Sequence, residues 1–170
     1  MIRVVFLYFI FILPLNIMAN DVNLVPDSYD VPIKILLPKY SFLKVNPDYS
    51  KLDYEALMSA KEFIREELNT DWPSDNFSLK ENTESLIGDL NSFNKRTNFT
   101  FHIFNSDQSK MIGCFYISNG SEAKYDASVF IWVRKEYLST PLFIEIKNDI
   151  KNWISKDWPL KNVDYSLNKT

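Results

Sequence analysis

Two apolar runs of strand length and one helical stripe organise the second half of the chain. Residues 110–117 and 127–133 are rich in β-branched and aromatic side chains and are bounded by polar segments, which is typical of buried strands. Residues 141–154 carry their apolar side chains at helical spacing instead, with Thr140 suited to cap the helix and Pro141 to its first position. The pattern predicts two strands that lead through a short turn into a helix. The free N–H groups at such a helix start favour a phosphate.

The first half of the chain begins with a proline-rich stretch. The prolines in residues 20–50 exclude a long helix, so only residues 33–37 are predicted as a strand and the rest as an ordered arm or loop. Residues 52–68 have one apolar helical face, and Ser50 and Asp53 are candidates to cap that helix.

A second helix and a hairpin follow. Ser78 and Glu81 have the spacing of a capping box, which predicts a helix that continues through Phe93. Residues 99–104 alternate between apolar and polar or smaller side chains, and a polar turn joins them to residues 110–117. These two segments are therefore predicted to form a β-hairpin.

The order of elements predicts one α/β domain. Residues 162–166 form a last short strand, so the order is strand, helix, helix, three strands, helix, strand. The helical crossover predicts that this last strand lies parallel to residues 127–133. We divide the chain into a leader at residues 1–19, an arm with the first strand at residues 20–50, and a domain at residues 51–170.

The N-terminus has the layout of a secretory signal peptide. A basic start at Arg3 precedes an apolar run, and Ala19 offers a small residue for cleavage before Asn20. The run is too short for a comfortable membrane span, so none is expected after cleavage. We expect a periplasmic or secreted protein. The alternative is an uncleaved N-terminus that anchors the protein in the inner membrane.

Composition excludes several classes of function. The 170 residues carry a net charge of −3, and the negative sign argues against nucleic acid as a partner. Cys114 is the only cysteine and His102 the only histidine, so no metal site is expected. Both residues are expected to be structural, because each lies within a predicted strand.

Four consecutive segments resemble parts of the GNAT (GCN5-related N-acetyltransferase) superfamily. They are residues 112–117 for the third strand, 126–133 for the fourth strand, 134–140 for the pyrophosphate turn and 141–156 for the following helix. Segments such as 52–60 and 72–79 are similar to a divergent bacterial subgroup of GNAT-like proteins. The resemblance implies an α/β (α+β) GNAT-like fold, a mixed central sheet flanked by helices, truncated at its C-terminal end. It also implies an acyl-CoA-dependent N-acetyltransferase that moves an acyl group from acetyl-CoA to an unknown amine of a small molecule or protein.

The resemblance also implies which residues form the site. In the family an Arg/Gln-x-x-Gly-x-Gly/Ala turn grips the pyrophosphate, whereas here residues 134–139 read RKEYLS, with Tyr137 in place of the first glycine. Asp126 is the implied base and Tyr165 the implied acid. The residues that the resemblance assigns to the cofactor are Trp132, Val133, Arg134, Lys135, Ser139 and Thr140.

A second reading stays open beside the enzyme. Tyr137, the signal-like leader and the short C-terminal region favour an exported, non-catalytic GNAT-fold binding or interaction protein. Acyl-CoA is kept in the cytoplasm, so an exported transferase would lack its donor. The sequence therefore leaves open whether the protein is an enzyme.

Overall fold

The computed structural model describes residues 23–120 and 122–168. The predicted leader lies outside the described residues. The described helices and strands, in chain order, are β1 (Lys34–Leu36), β2 (Tyr40–Lys44), α1 (Ser50–Ser59), α2 (Lys61–Leu68), α3 (Leu79–Asn94), β3 (Phe99–Asn105), β4 (Met111–Asn119), β5 (Ala127–Val133), α4 (Pro141–Asp157) and β6 (Val163–Asp164). None of these helices is both long and apolar enough to cross a bilayer.

The described strands form one sheet in the order β1-β2-β3-β4-β5-β6. Strands β1 to β5 pair antiparallel, which confirms the predicted β3–β4 hairpin, and β5 pairs with β6 in parallel, which confirms the predicted crossover. The parallel pairing joins only Ala127 to Val163 and Ser128 to Asp164. Within the described residues, the β5–β6 ladder therefore ends at Ser128, and residues 129–133 of β5 extend beyond it.

The two faces of the sheet bury separate hydrophobic clusters, because successive strand residues point to opposite sides. Val129, Ile131 and Val133 pack in one cluster with the apolar stripe of α4. Phe130 and Trp132 pack in the other cluster with residues of α1 and α2. Helix α4 therefore covers one face of β5, while α1 and α2 cover the opposite face.

The structure corrects three expectations for the first half of the chain. The predicted arm contains a second strand, β2, because Tyr40 and Phe42 alternate into the core although Pro38 precedes them. The helix predicted at residues 52–68 is interrupted at Ala60, which ends α1 and precedes α2. Neither Ser50 nor Asp53 caps α1; Asp53 is buried instead. The capping box of Ser78 and Glu81 at α3 is confirmed.

Candidate functional site

The turn between β5 and α4 is anchored to strand β4. The backbone N–H of Arg134 donates to the Ile112 carbonyl at 2.7 Å, which extends the β4–β5 ladder by one residue. The chain then forms a short 3₁₀ turn at Lys135–Tyr137, and Thr140 occupies the cap position of α4. The predicted strand–turn–helix unit is thus present.

Backbone donors of this turn are used within the turn. The N–H groups of Tyr137, Leu138 and Thr140 donate to carbonyls three residues earlier, at 2.9, 3.3 and 3.0 Å. The Thr140 hydroxyl donates to the Tyr137 carbonyl at 2.7 Å rather than capping α4. Pro141, the first residue of α4, has no N–H to offer. The turn therefore keeps for itself donors that a pyrophosphate would need.

The charged side chains at the turn are mostly paired. Arg134 donates from Nε to the Met111 carbonyl at 2.7 Å, and its Nη2 lies 4.0 Å from Glu55 Oε2, with 13% of the side chain exposed. Lys110 Nζ lies 3.0 Å from Glu136 Oε1 and 5.3 Å from the centre of the Tyr137 ring. Lys135, by contrast, is exposed.

Glu136 introduces a negative charge at this position. Partial desolvation raises its pKa, but hydrogen bonds from its own N–H and from Lys110 outweigh that effect and leave the pKa below its ordinary value. The carboxylate is therefore ionised at neutral pH. An anion bound at the turn would meet this charge.

The remaining residues assigned to the cofactor divide between core and surface. The side chains of Trp132 and Val133 are buried on opposite faces of the sheet, and the Trp132 indole N–H lies 3.5 Å from the Tyr116 hydroxyl. Ser139 is exposed beside Thr140 at the start of α4. Only backbone groups of Trp132 and Val133 could face a ligand at the edge of β5.

Acyl-CoA would bring two parts to this region, the pantetheine arm and the pyrophosphate. The amide-bearing arm would lie beside the end of β5 that leads into the turn. The turn does not suit a pyrophosphate, because the amides of Tyr137, Leu138 and Thr140 are internally bonded and Glu136 is negative. Lys135 is an exposed positive charge at this end of β5.

Asp126 and Tyr165 lie in different surroundings. One oxygen of Asp126 accepts the N–H groups of Lys161 and Asn162, at 2.7 and 2.9 Å. The Asn162 and Lys161 amides lower the pKa of this exposed carboxyl, and the contact fixes the entry to β6. Tyr165 lines a cavity of about 680 Å³ beside α4, where burial raises its pKa to about 12. The catalytic roles of Asp126 and Tyr165 stay predictions.

The structure brings together a second group of polar residues that the sequence did not single out. A cavity of about 360 Å³, here called the Asp89 cavity, opens beside β4 and β5. It is lined by Leu68, Trp72, Ser85, Asp89, Asn98, Tyr116, Ser118, Phe130 and Leu167. The helical spacing of Asp89 relative to the buried Leu86 and Phe93 was the available signal, since an acid beside an apolar stripe faces inward.

Among the described residues that line the cavity, Asp89 is the one with a carboxyl group. Desolvation, followed by the charge of Asp53, raises the pKa of Asp89 from 3.8 to about 6, although His102 and a hydrogen bond from Thr100 act in the other direction. A carboxyl with a pKa close to neutrality in a cavity is suited to accept a proton. Asp89 is thus a candidate base.

His102 and Cys114 lie in the core with Asp53. Their potential ligand atoms are all within 4.8 Å of one another, and all three residues are buried. His102 Nε2 accepts the Asn46 N–H at 3.1 Å, so the ring proton is on Nδ1, which faces Asp53 Oδ1 at 3.5 Å. A metal on Nδ1 would place that proton on Nε2 against the Asn46 N–H. The group is better described as a buried acid–imidazole pair.

The protonation of the Cys114 thiol agrees with a buried acid–imidazole pair rather than a metal site. Burial raises the pKa of Cys114 well above its ordinary value, so the thiol is not ionised at neutral pH. Asn82 Nδ2 donates to Asp53 Oδ2 at 2.9 Å and to the Ser50 carbonyl at 3.1 Å, which ties α3 to α1. The expectation that Cys114 is buried within its strand is confirmed, and His102, expected to be a satisfied or half-exposed strand residue, is fully buried.

The arrangement of strands, turn and helix defines the GNAT acyl-CoA N-acyltransferase fold. The ribosomal-protein-S5-alanine acetyltransferase of Vibrio fischeri superposes with a TM-score of 0.60 at 15% identity, over 79% of this chain and 72% of that one. The microcin C7 self-immunity acetyltransferase MccE, solved with acetyl-CoA and AMP, gives 0.61 at 13% identity over 78% and 72%. FdhC, a nucleotide-linked sugar GNAT, gives 0.51 at 16% identity over 74% and 66%. No protein-family model and no curated protein sequence matches the chain.

Proposed function

We propose that this protein is an N-acyltransferase that moves an acyl group from a pantetheine thioester, such as acetyl-CoA, to an amine. The observation that carries the proposal is the strand–turn–helix unit in which β5 ends at Val133 and α4 begins at Pro141. The GNAT fold and the acetyl-CoA complex of MccE support it. The thioester would supply an activated carbonyl carbon.

The residues of this chain would hold the two parts of the donor unequally. The pantetheine arm would lie beside the end of β5 that leads into the turn. Lys135 and Ser139 are exposed beside the nucleotide end, but the closed turn and Glu136 oppose a pyrophosphate there. We therefore infer that the pantetheine arm contributes most of the donor affinity.

Calorimetric titration of the chain starting at Asn20 tests this proposal. Acetyl-CoA and acetyl-pantetheine share the thioester and the arm but differ in the nucleotide. We expect saturable binding of both, with dissociation constants within about tenfold, because the turn adds little phosphate binding. Binding of acetyl-CoA more than about a hundredfold tighter than acetyl-pantetheine would show a working pyrophosphate site. It would overturn the inference that the pantetheine arm contributes most of the donor affinity.

Two variants refine the titration. Tyr137→Gly and Glu136→Gln each remove one obstacle to a phosphate at the turn. Each variant is therefore expected to bind acetyl-CoA more tightly and to bind acetyl-pantetheine with unchanged affinity. Absence of heat with either donor at high micromolar concentration would overturn the acyltransferase proposal. That outcome would favour the non-catalytic binding role that the sequence left open.

A further inference from the structure

We infer that the Asp89 cavity binds a primary ammonium group attached to a small apolar or aromatic body. This deepens the proposed function, because it names the acceptor amine and the residue that receives its proton. The inference rests on the oxygen atoms, the walls and the size of the cavity. None of these involves the donor turn.

A hydrogen-bond relay fixes the polar side of the cavity. Asn98 donates from Nδ2 to Thr100 Oγ1 at 3.3 Å, and the Thr100 hydroxyl donates to Asp89. Because Thr100 has one hydroxyl hydrogen, Oγ1 is the acceptor from Asn98 and the amide orientation is determined. The Oδ1 atom of Asn98 is therefore directed away from Thr100.

That oxygen is buried and has no hydrogen-bond partner. A buried acceptor without a donor is unfavourable by about 1 to 3 kcal/mol in general, which is a reason to expect an occupant that donates. Asp89 adds a carboxylate to the same lining. An ammonium group, which carries several N–H donors and a positive charge, satisfies both oxygens.

The walls of the cavity specify the rest of the ligand. Trp72, Tyr116 and Phe130 present aromatic side chains, and the Tyr116 and Phe130 rings stack with centroids 6.3 Å apart. Aromatic faces attract cations and also accept apolar groups. No arginine, lysine or second carboxylate belongs to the described lining. One negative charge among apolar walls suits a monoamine better than a polyamine or a basic peptide.

The size and position of the cavity agree with a small acceptor. A volume of about 360 Å³ falls at the lower end of small-molecule sites. Phe130 lies four residues before Arg134 on β5, so the cavity is ~13 Å along the strand from the turn at about 3.3 Å per residue. Bound there, the ammonium nitrogen would lose one proton to a carboxylate oxygen of Asp89. The N–H bond breaks, an O–H bond forms, and the amine becomes neutral.

The experiment measures amine binding without any acyl donor, so its outcome is independent of the donor site. We would titrate 2-phenylethylamine and its uncharged counterpart 2-phenylethanol into the chain starting at Asn20, at pH 7.5. We expect the amine to bind at least about tenfold more tightly than the alcohol, because only the amine meets the carboxylate as a cation. Equal binding of the two ligands, or binding of neither, would overturn the inference.

Matched variants locate the site. Asp89→Asn is expected to weaken binding of the amine by about tenfold or more and to leave the affinity for the alcohol unchanged. Glu84→Gln removes a carboxylate from the same helix, but Glu84 is exposed and paired with Lys80 at 3.8 Å, so it should have no effect. Loss of amine binding in both variants, or in neither, would contradict the assignment.

The pH dependence of the unmodified protein gives a second test that needs no variant. Asp89 faces Asp53 of α1, His102 and Thr100 of β3, and Tyr116 of β4. Since the pKa of Asp89 is raised to about 6, amine binding is expected to weaken as the pH falls from 7.5 to 5. Alcohol binding should stay constant over the same range. An amine affinity that does not change with pH would overturn the role of Asp89.

Discussion

A Cβ atom on Gly113 would lie 2.7 Å from the Cα of Val133, the residue opposite it in the β4–β5 ladder. The same atom would lie 2.1 Å from the Trp132 carbonyl oxygen, so the two strands approach too closely for any side chain here. This contact sets the position of the end of β5. The turn and α4 start from that position.

Gly113→Ala is therefore expected to destabilise the protein by about 2 to 4 kcal/mol, since backbone atoms must move apart. Urea unfolding measures the change. Gly88→Ala is the control, because a Cβ on Gly88 of α3 meets nothing within 4 Å and should stabilise by about 0.5 to 1 kcal/mol. Similar effects of the two substitutions would contradict the steric account.

Asp89→Asn is expected to stabilise the protein at neutral pH. The pKa of Asp89 is raised to about 6 from 3.8, so the folded protein binds the proton more tightly and loses stability as the pH rises from about 4 to about 6. Removing the charge should raise stability at pH 7.5 by about 1 kcal/mol, after allowance for solvent screening. Thermal unfolding at pH 7.5 and pH 4 should show this gain only at the higher pH. A gain in stability of equal size at pH 7.5 and at pH 4 would contradict a raised pKa of Asp89.

Asp126→Asn is expected to act in the opposite sense. The backbone amides of Asn162 and Lys161 hold the pKa of Asp126 below 3.8, so its stabilising contribution is complete at neutral pH and is lost as the pH falls below about 4. The variant should unfold at a lower temperature than the parent at pH 7, with a smaller difference near pH 3. Lost acyl transfer without any change in unfolding temperature would instead support Asp126 as the catalytic base.

Arg134→Ala is expected to lower the stability of the fold as well as any donor binding. Arg134 Nε donates to the Met111 carbonyl, and the side chain is 13% exposed. Loss of that bond should reduce unfolding free energy by about 1 to 2 kcal/mol. Lys135→Ala replaces an exposed neighbour and should change the unfolding free energy by no more than about 0.5 kcal/mol. Unfolding curves recorded beside the acetyl-CoA titrations separate the two effects.

Cleavage after Ala19 remains a prediction for the full-length chain. If the leader acts as a signal peptide, the mature protein recovered from cell fractions should begin at Asn20 and lie outside the cytoplasm. Intact-mass measurement and N-terminal sequencing check both points. A cytoplasmic protein that begins with Met1 would contradict export and remove the conflict with a cytoplasmic donor.

Sequence patterns were sufficient to predict the helices and strands whose residues are recognisable from local spacing alone. The apolar run and polar bounds of β5, and the proline and apolar spacing of α4, depend only on neighbouring residues. Strand β2 was missed because the prolines around it resemble those of a loop, whereas its pairing with β3 joins residues some sixty positions apart, Tyr40 with Asn105 among them.

The chemistry of the site depends on contacts that no local pattern contains. Asp126 was located correctly at the start of β5, but its partners, Lys161 and Asn162, come from the far side of α4. The raised pKa of Asp89 depends first on its burial and then on the charge of Asp53, which lies on another helix. The sequence could suggest which carboxylates are conspicuous. It could not show which are buried together.

The internal hydrogen bonds of the β5–α4 turn imply a limit on how strongly the protein can retain a nucleotide. A phosphate group that recruits the amides of Tyr137, Leu138 and Thr140 must first break three bonds that the free protein already satisfies. At about 1 kcal/mol each, that exchange weakens the apparent affinity by roughly a hundredfold. A donor held mainly by its arm would exchange rapidly, so occupancy of the protein would follow the donor concentration around it.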